Sequence, residues 1–275
     1  MDELYVLARR VLLDALEALG PHRGAVVLVG AQAVYLRVGE ADLAVAPFTT
    51  DGDLVIDPSI LTEIPPLERS LLAAGFLPRT TSSVGSWVTR RRTILGPDAD
   101  VEIDLMVPAS MSPGTGRRAA RLPGHDVRAA RIVRGLEGAL VDADLARLTS
   151  LDPNDAREID VRVAGAAALL VAKLHKIAER VGTDRLEDKD ALDVLRLLRC
   201  TGTNELADRY SVLLADRRAR ASARAGVEML VSLFADRRGE GLAMLVRATS
   251  GLADPDELSA SCLLLARDLM TRLPS

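Results

Sequence analysis

Val26-Val27-Leu28-Val29-Gly30-Ala31-Gln32-Ala33 decides how the first half of the chain is read. Four consecutive apolar residues closed by a glycine predict a buried strand turning tightly into a helix over about 31–38. Upstream, apolar residues at helical spacing, Tyr5, Leu12, Leu13, Leu16 and Leu19 among them, predict a helix over 2–19 that stops at Gly20-Pro21. Downstream, beyond a loop containing Pro47, Asp51-Gly52-Asp53 leads into Leu54-Val55-Ile56, a second buried strand, and then a helix ending near Ala74-Gly75. Residues 87–92 and 101–107 read as paired strands joined around Gly96-Pro97-Asp98, extending the same sheet. Residues 108–125 read as a surface loop, and 127–163 hold short β-like stretches, clearest at 159–163.

From about Ala164 the texture changes. Ala, Leu and Arg dominate, and a 3.6-residue period predicts helices near 164–181, 186–199, 203–216, 218–236, 240–249 and 256–272. The expected organisation is therefore two domains, 1–163 and 164–275, within the 275 residues. With 48% hydrophobic but 3% aromatic residues, their cores must be built from Leu, Val, Ala and Ile. No apolar run reaches membrane-spanning length and the first residues lack the order of a signal peptide, so a soluble, cytoplasmic protein without a membrane partner is expected. Cys200 and Cys262 have no CxxC spacing and no nearby histidine, which excludes a zinc or disulfide framework and leaves buried thiols. A net charge of -4 excludes polyanion binding by bulk composition; a nucleic-acid partner would need a local basic face.

The carboxylates point to chemistry. Asp51 and Asp53 flank Gly52 at the start of a strand, and alternate strand residues project to the same side. Glu102 and Asp104 alternate in the same way within an otherwise apolar strand. Carboxylates converging at 4 Å repel by roughly 4 kcal/mol per pair at an effective dielectric near 20, which a divalent cation removes. Mg²⁺ held by a few carboxylates and substrate phosphates suits in-line phosphoryl displacement. The alternative is structural: Asp-Gly-Asp as a turn, Asp104 as an edge-strand acid. The junction at Gly30-Ala31 offers backbone N–H groups and a helix start to an anion, or is plain strand-to-helix punctuation.

Val29-Gly30-Ala31-Gln32-Ala33, then Phe48-Thr49-Thr50-Asp51-Gly52-Asp53-Leu54, then Val101-Glu102-Ile103-Asp104-Leu105, in that order, resemble the DNA polymerase β-like nucleotidyltransferase superfamily. Ala172-Lys173-Leu174, Glu179-Arg180 and Lys189-Asp190-Ala191-Leu192-Asp193-Val194 resemble its AbiEii toxin group, and the likeness covers roughly residues 25–200. The resemblance implies an α+β fold: a polymerase β-like nucleotidyltransferase sheet with flanking helices, followed by a C-terminal helical bundle domain. It implies Mg²⁺, or Mn²⁺ in its place, on Asp51, Asp53 and Asp104, with the acid nearest the acceptor hydroxyl as base. It implies an NTP held by Gly30, Ala31 and Thr49, with Lys173 and Lys176 on its phosphates and Asp190 completing the pocket. The chain departs from the pattern at Ala31, which lacks a hydroxyl for phosphate, and at Gly52, where relatives carry an apolar residue and where glycine is expected to loosen the strand aiming both acids. Read from spacing alone, Lys173 and Lys176, and Asp190 and Asp193, are neighbours on two helical faces that could pair as structural ions.

For the acceptor, the toxin-group resemblance implies tRNA, with a cognate antitoxin protein or kinase as the neutralising partner; Thr49 and Thr50 are candidate modification sites. Arginine clusters at 90–92, at 117, 118 and 121, at 128, 131 and 134, and at 217, 218, 220 and 224 could grip RNA phosphates or simply keep the surface soluble. The scattered aromatics argue against base stacking. A small-molecule nucleotidyltransferase of antibiotic-modifying type, and a catalytically decayed nucleotide-binding or interaction module, are the competing readings. His22, His125 and His175 show no ligand spacing, and His175 reads as an interhelical or surface residue.

Overall fold

The computed structural model describes residues 2–39, 48–93, 96–112 and 118–274. Pro47 and Arg117, named above for a loop and a basic cluster, lie outside the described residues. The fold is mixed α+β, and the chain divides into two compact units.

The first unit comprises Met1–Gln32, Phe48–Val133 and Ala143–Val163. Helix α1 (Glu3–Ala18) begins where the Asp2 carboxylate accepts the Leu4 amide at 2.8 Å, capping free N–H groups of the first turn. The predicted apolar run forms β1 (Val26–Val29), buried at every position, and passes directly into α2 (Gly30–Val38). Then come β2 (Asp51–Ile56), α3 (Leu67–Ala73), β3 (Leu77–Pro78), β4 (Ser86–Arg91), β5 (Ala99–Pro108), β6 (Arg131–Val133), β7 (Ala143–Thr149) and β8 (Glu158–Ala164). They form one sheet in the order β3-β4-β5-β2-β1-β8-β7, with β6 pairing β5. The strand pair expected over 87–92 and 101–107 is β4 antiparallel to β5. β2 is antiparallel to β1 but parallel to β5.

That pairing separates the sheet faces. Gly52 is buried, and a β-carbon there would come within 2.7 Å of Ile103 Cδ1 and 3.2 Å of Leu12 Cδ1. The Ile103 side chain and, beside it, Leu12 of α1 therefore fill the space over position 52, and any side chain there would have to displace the Ile103 tip. The glycine expected to loosen the strand is instead the seat on which α1 packs, and strand alternation sends Asp51 and Asp53 to the other face. His22 and His125 come together edge to face at 5.7 Å, but their ring nitrogens are engaged by the 62–67 segment: His22 with Pro65 O and Thr62 Oγ1, His125 with Thr62 O and the Leu67 amide.

The second unit comprises Ala33–Pro47, Arg134–Asp142 and Ala164–Ser275. Its helices are α4 (Ala166–Arg180), α5 (Lys189–Cys200), α6 (Thr203–Ala215), α7 (Arg220–Leu230), α8 (Glu240–Ala248) and α9 (Pro255–Arg272), close to the segments read from periodicity. Segments from earlier in the chain are built into it. Asp142 receives the Ala168 amide at 3.1 Å and Arg209 at 2.7 Å, so a carboxylate distant in sequence caps the first turn of α4. Gly135 takes a left-handed φ of +80° with His175 packed against it; a β-carbon there would lie 2.5 Å from the ring. His175 Nε2 sits 2.9 Å from Ser222 O, the interhelical role expected of it. Cys262 is buried and its thiol is pushed up to about 12 by desolvation, whereas Cys200 is exposed at the end of α5, contrary to the expectation of burial. Among the described residues no helix is long and apolar enough to cross a membrane.

Candidate active site

β2 and β5 lie parallel in a register that pairs Asp51 with Glu102 and Asp53 with Asp104. Neighbouring strands run about 4.8 Å apart, so the four acids share one patch of the sheet face. Gly52 and Ile103 point the other way, into the core, while all four acids are half-buried. Asp51, Asp53 and Asp104 are thus brought together as the sequence predicted. Glu102 belongs with them, a membership already visible in its alternation with Asp104.

Each carboxylate has a local partner. Asp51 accepts a hydrogen bond from the Thr49 hydroxyl. Thr49 is fully buried, so the expectation of an open modification site there is not met; Thr50 is exposed. Asp53 lies against Gly30, its carboxylate filling the space a β-carbon would take. Gly30 also has a φ of +69°, so glycine is required twice over, by backbone handedness and by Asp53. Asp104 is ion-paired with Arg131. Glu102 meets Arg79 at 3.1 Å and Ser86 at 3.4 Å. Burial raises its pKa and outweighs Arg79, with Asp104 and Asp51 pushing the same way as burial.

The strand that carries Asp51 is held from behind by a chain of buried polar groups. Gln32 Nε2 donates to the Asp51 carbonyl at 2.9 Å, and Arg9 Nε donates to Gln32 Oε1 at 2.8 Å. Arg9 also donates to Thr149 O at 3.1 Å, and burial lowers its pKa. Sequence reading missed Arg9, Gln32 and Arg79, because their roles depend on partners far along the chain.

The carboxylates suit a divalent cation in kind and in register, being hard oxygen donors on neighbouring strand positions. They are not assembled as a ligand set: among the described residues no group of three His, Cys, Asp or Glu side chains is placed to hold a metal ion. Thr49 donates to Asp51, Arg131 pairs with Asp104, and the Asp53 carboxylate lies against Gly30.

The helical unit brings together the other predicted residues. Lys173 Nζ lies 2.7 Å from both Asp190 and Asp193. Lys176 reaches Asp190 at 3.1 Å and Glu187 at 3.5 Å, and Asp193 also meets Arg196 at 2.8 Å. The Arg196 guanidinium sits 5.1 Å from the centre of the Tyr35 ring. Lys173, Asp190, Asp193 and Arg196 are buried, whereas about a third of the Lys176 side chain (34%) is open. Burial would lower the Lys173 pKa, yet Asp193 and Asp190 outweigh it and hold the ammonium charged. Burial would likewise raise Asp190, but Lys173 and Lys176 bring it down to about 2. The two sets of predicted site residues belong to different units of the chain.

Several arginines expected to form basic patches have acidic or backbone partners close by. Arg90 pairs with Asp100, Arg91 with Asp14, Arg128 with Asp126 and Arg218 with Asp216, while Arg220 donates to Leu214 and Ala215 carbonyls.

No family model and no curated protein matches the chain. Its fold is similar to a solved structure described as an antigenic nucleotidyltransferase-like protein from Paracoccidioides brasiliensis, at 18% identity and a TM-score of 0.42, over 82% of this chain and 93% of that one.

Proposed function

We propose that the chain is a nucleotidyltransferase that moves a nucleoside monophosphate from an NTP to a hydroxyl acceptor. The observation that carries this reading is the β2–β5 register, which sets Asp51, Asp53, Glu102 and Asp104 on one face beside the turn at Gly30. In the reaction the acceptor oxygen attacks the α-phosphorus, the bond to the bridging oxygen breaks and pyrophosphate leaves. The hydroxyl proton passes to a carboxylate of this face; Glu102, raised by burial, suits that task. Mg²⁺ or Mn²⁺ on Asp51, Asp53 and Asp104 would neutralise phosphate charge. Gly30 and Ala31 would allow close phosphate approach, and Thr49 would align Asp51. Of the lysine pair to which the resemblance assigns phosphate contact, Lys176 is the one whose ammonium is open to an anion, with Lys173 and Asp190 as its buried neighbours.

The acceptor implied by the AbiEii resemblance is tRNA, with toxin action countered by an antitoxin protein or a kinase. A small hydroxyl compound is the second reading, favoured by the neutralisation of Arg90, Arg91, Arg128 and Arg218 by nearby acids. Incubation with each α-labelled NTP and either purified tRNA or small polyols tests both. Label entering tRNA, and falling steeply as salt rises, supports the RNA acceptor; label in polyols alone selects the second reading. Asp53→Asn should lower either transfer by about 100-fold or more while the protein stays folded. No transfer to either acceptor by folded protein sinks the enzymatic reading in favour of a binding module.

A further inference from the structure

The acid face carries a cation of its own. Arg131 opens β6, and its backbone is held from several directions: β6 pairs parallel with β5 through Met106 and Arg131, and Arg131 bridges Ala119. Beside it, the Ile132 amide donates to Arg118 O at 2.6 Å and the Ala120 amide to Ala130 O at 3.0 Å. Gly85 is pressed into the same junction: its carbonyl accepts the Leu105 amide at 2.7 Å, and a β-carbon on it would lie 2.5 Å from both Arg131 N and Leu105 O. From this fixed base the guanidinium reaches Asp104. Its Nε is buried and, among the described residues, has no hydrogen-bond acceptor. A buried donor left unpaired costs about 1–3 kcal/mol, so Arg131 is held on Asp104 with part of its hydrogen-bonding capacity unused.

We infer that Arg131 is an internal counter-ion that competes with a divalent cation for Asp104, and that it is drawn off Asp104 by an anionic phosphate group. The inference rests on reading the acid face as the nucleotidyl-transfer site. A divalent ion and a guanidinium on the same carboxylate repel each other, so each weakens the other's hold on Asp104 and the two compete for it. A phosphate offers Arg131 a bidentate partner, together with an acceptor for the idle Nε, at the moment the metal needs Asp104. Metal and phosphate then favour each other's binding, and the coupling is reciprocal.

The test is Mn²⁺ binding to the full chain without nucleotide, followed by electron paramagnetic resonance of the free ion. Arg131→Gln should bind Mn²⁺ about ten-fold more tightly than the unaltered protein, the usual scale of such a coupling. Adding Asp104→Asn to that variant should remove the gain. Arg131→Met, which keeps the apolar stem, serves as the second variant if Arg131→Gln does not fold, and the same gain is expected. Adding inorganic tripolyphosphate at fixed free Mn²⁺ should raise Mn²⁺ occupancy of the unaltered protein and not that of the Arg131 variants. Equal Mn²⁺ affinity with and without Arg131, or a gain that survives Asp104→Asn, overturns the proposal. If the gain appears while no NTP transfers its nucleotide to any acceptor, the counter-ion role stands and the catalytic reading falls.

Discussion

The sheet face around Asp53 and the helical cluster around Lys173 both set carboxylates against cations, yet they differ in access and in balance. On the sheet, four half-buried acids face two arginines, Arg79 and Arg131, whose side chains are 59% and 31% exposed. In the helical unit, Lys173 is enclosed by Asp190 and Asp193 at 2.7 Å, with Arg196 on Asp193 and Lys176 on Asp190. The difference teaches that ion pairing by itself does not mark a reactive site. An enclosed, neutralised cluster specifies packing, whereas an open face with surplus negative charge can take in a charged ligand.

Lys173→Met puts the largest strain on this contrast. Removing one partner of a buried pair leaves Asp190 and Asp193 undercompensated, and urea denaturation should show a loss of about 3–5 kcal/mol. A loss below about 1 kcal/mol would place the cluster with the exposed pairs and erase the distinction. The same cluster fixes an acid limit. Asp190 is lowered from 3.8 to about 2 on folding, so its contribution is complete above about pH 4 and is lost as pH falls through about 2. Gly52→Val comes next: a side chain forced between Ile103 and Leu12 should cost about 1–3 kcal/mol by the same measurement. That result would tie the aim of Asp51 and Asp53 to the seating of α1. Asp104→Asn should have the smallest effect on stability, less than about 1 kcal/mol, because its partner Arg131 is partly solvated. A larger loss would move Asp104 from the reactive face into the structural framework.

Much of this was legible in the sequence because periodicity and chain punctuation are local. Four buried apolar residues before Gly30 read as β1, and the 3.6-residue repeat beyond Ala164 gave α4 to α9. Strand alternation was enough to put Asp51 and Asp53 on one side, and three-residue spacing was enough to put Asp190 beside Asp193. What stayed hidden depended on distant partners. Arg131-Ile132-Val133 is too short to show a strand period, and nothing near it in sequence indicates that its arginine meets Asp104. Gly52 looked like a defect because its reasons, Ile103 on β5 and Leu12 on α1, are distant in sequence. Charged residues such as Lys173 and Asp190 are ordinarily solvated, so their enclosure becomes legible only with the tertiary fold.

The interleaving of the two units has a consequence for synthesis. Tyr35 is among the first residues of the helical unit to be made, but Arg196, whose guanidinium it faces, follows some 160 residues later. At translation rates of about 5–20 residues per second, that gap lasts roughly 8–30 s. Throughout it the nascent chain carries an aromatic side chain whose cationic cover does not yet exist. The early segments therefore wait for a core that the later helices α4 to α9 supply.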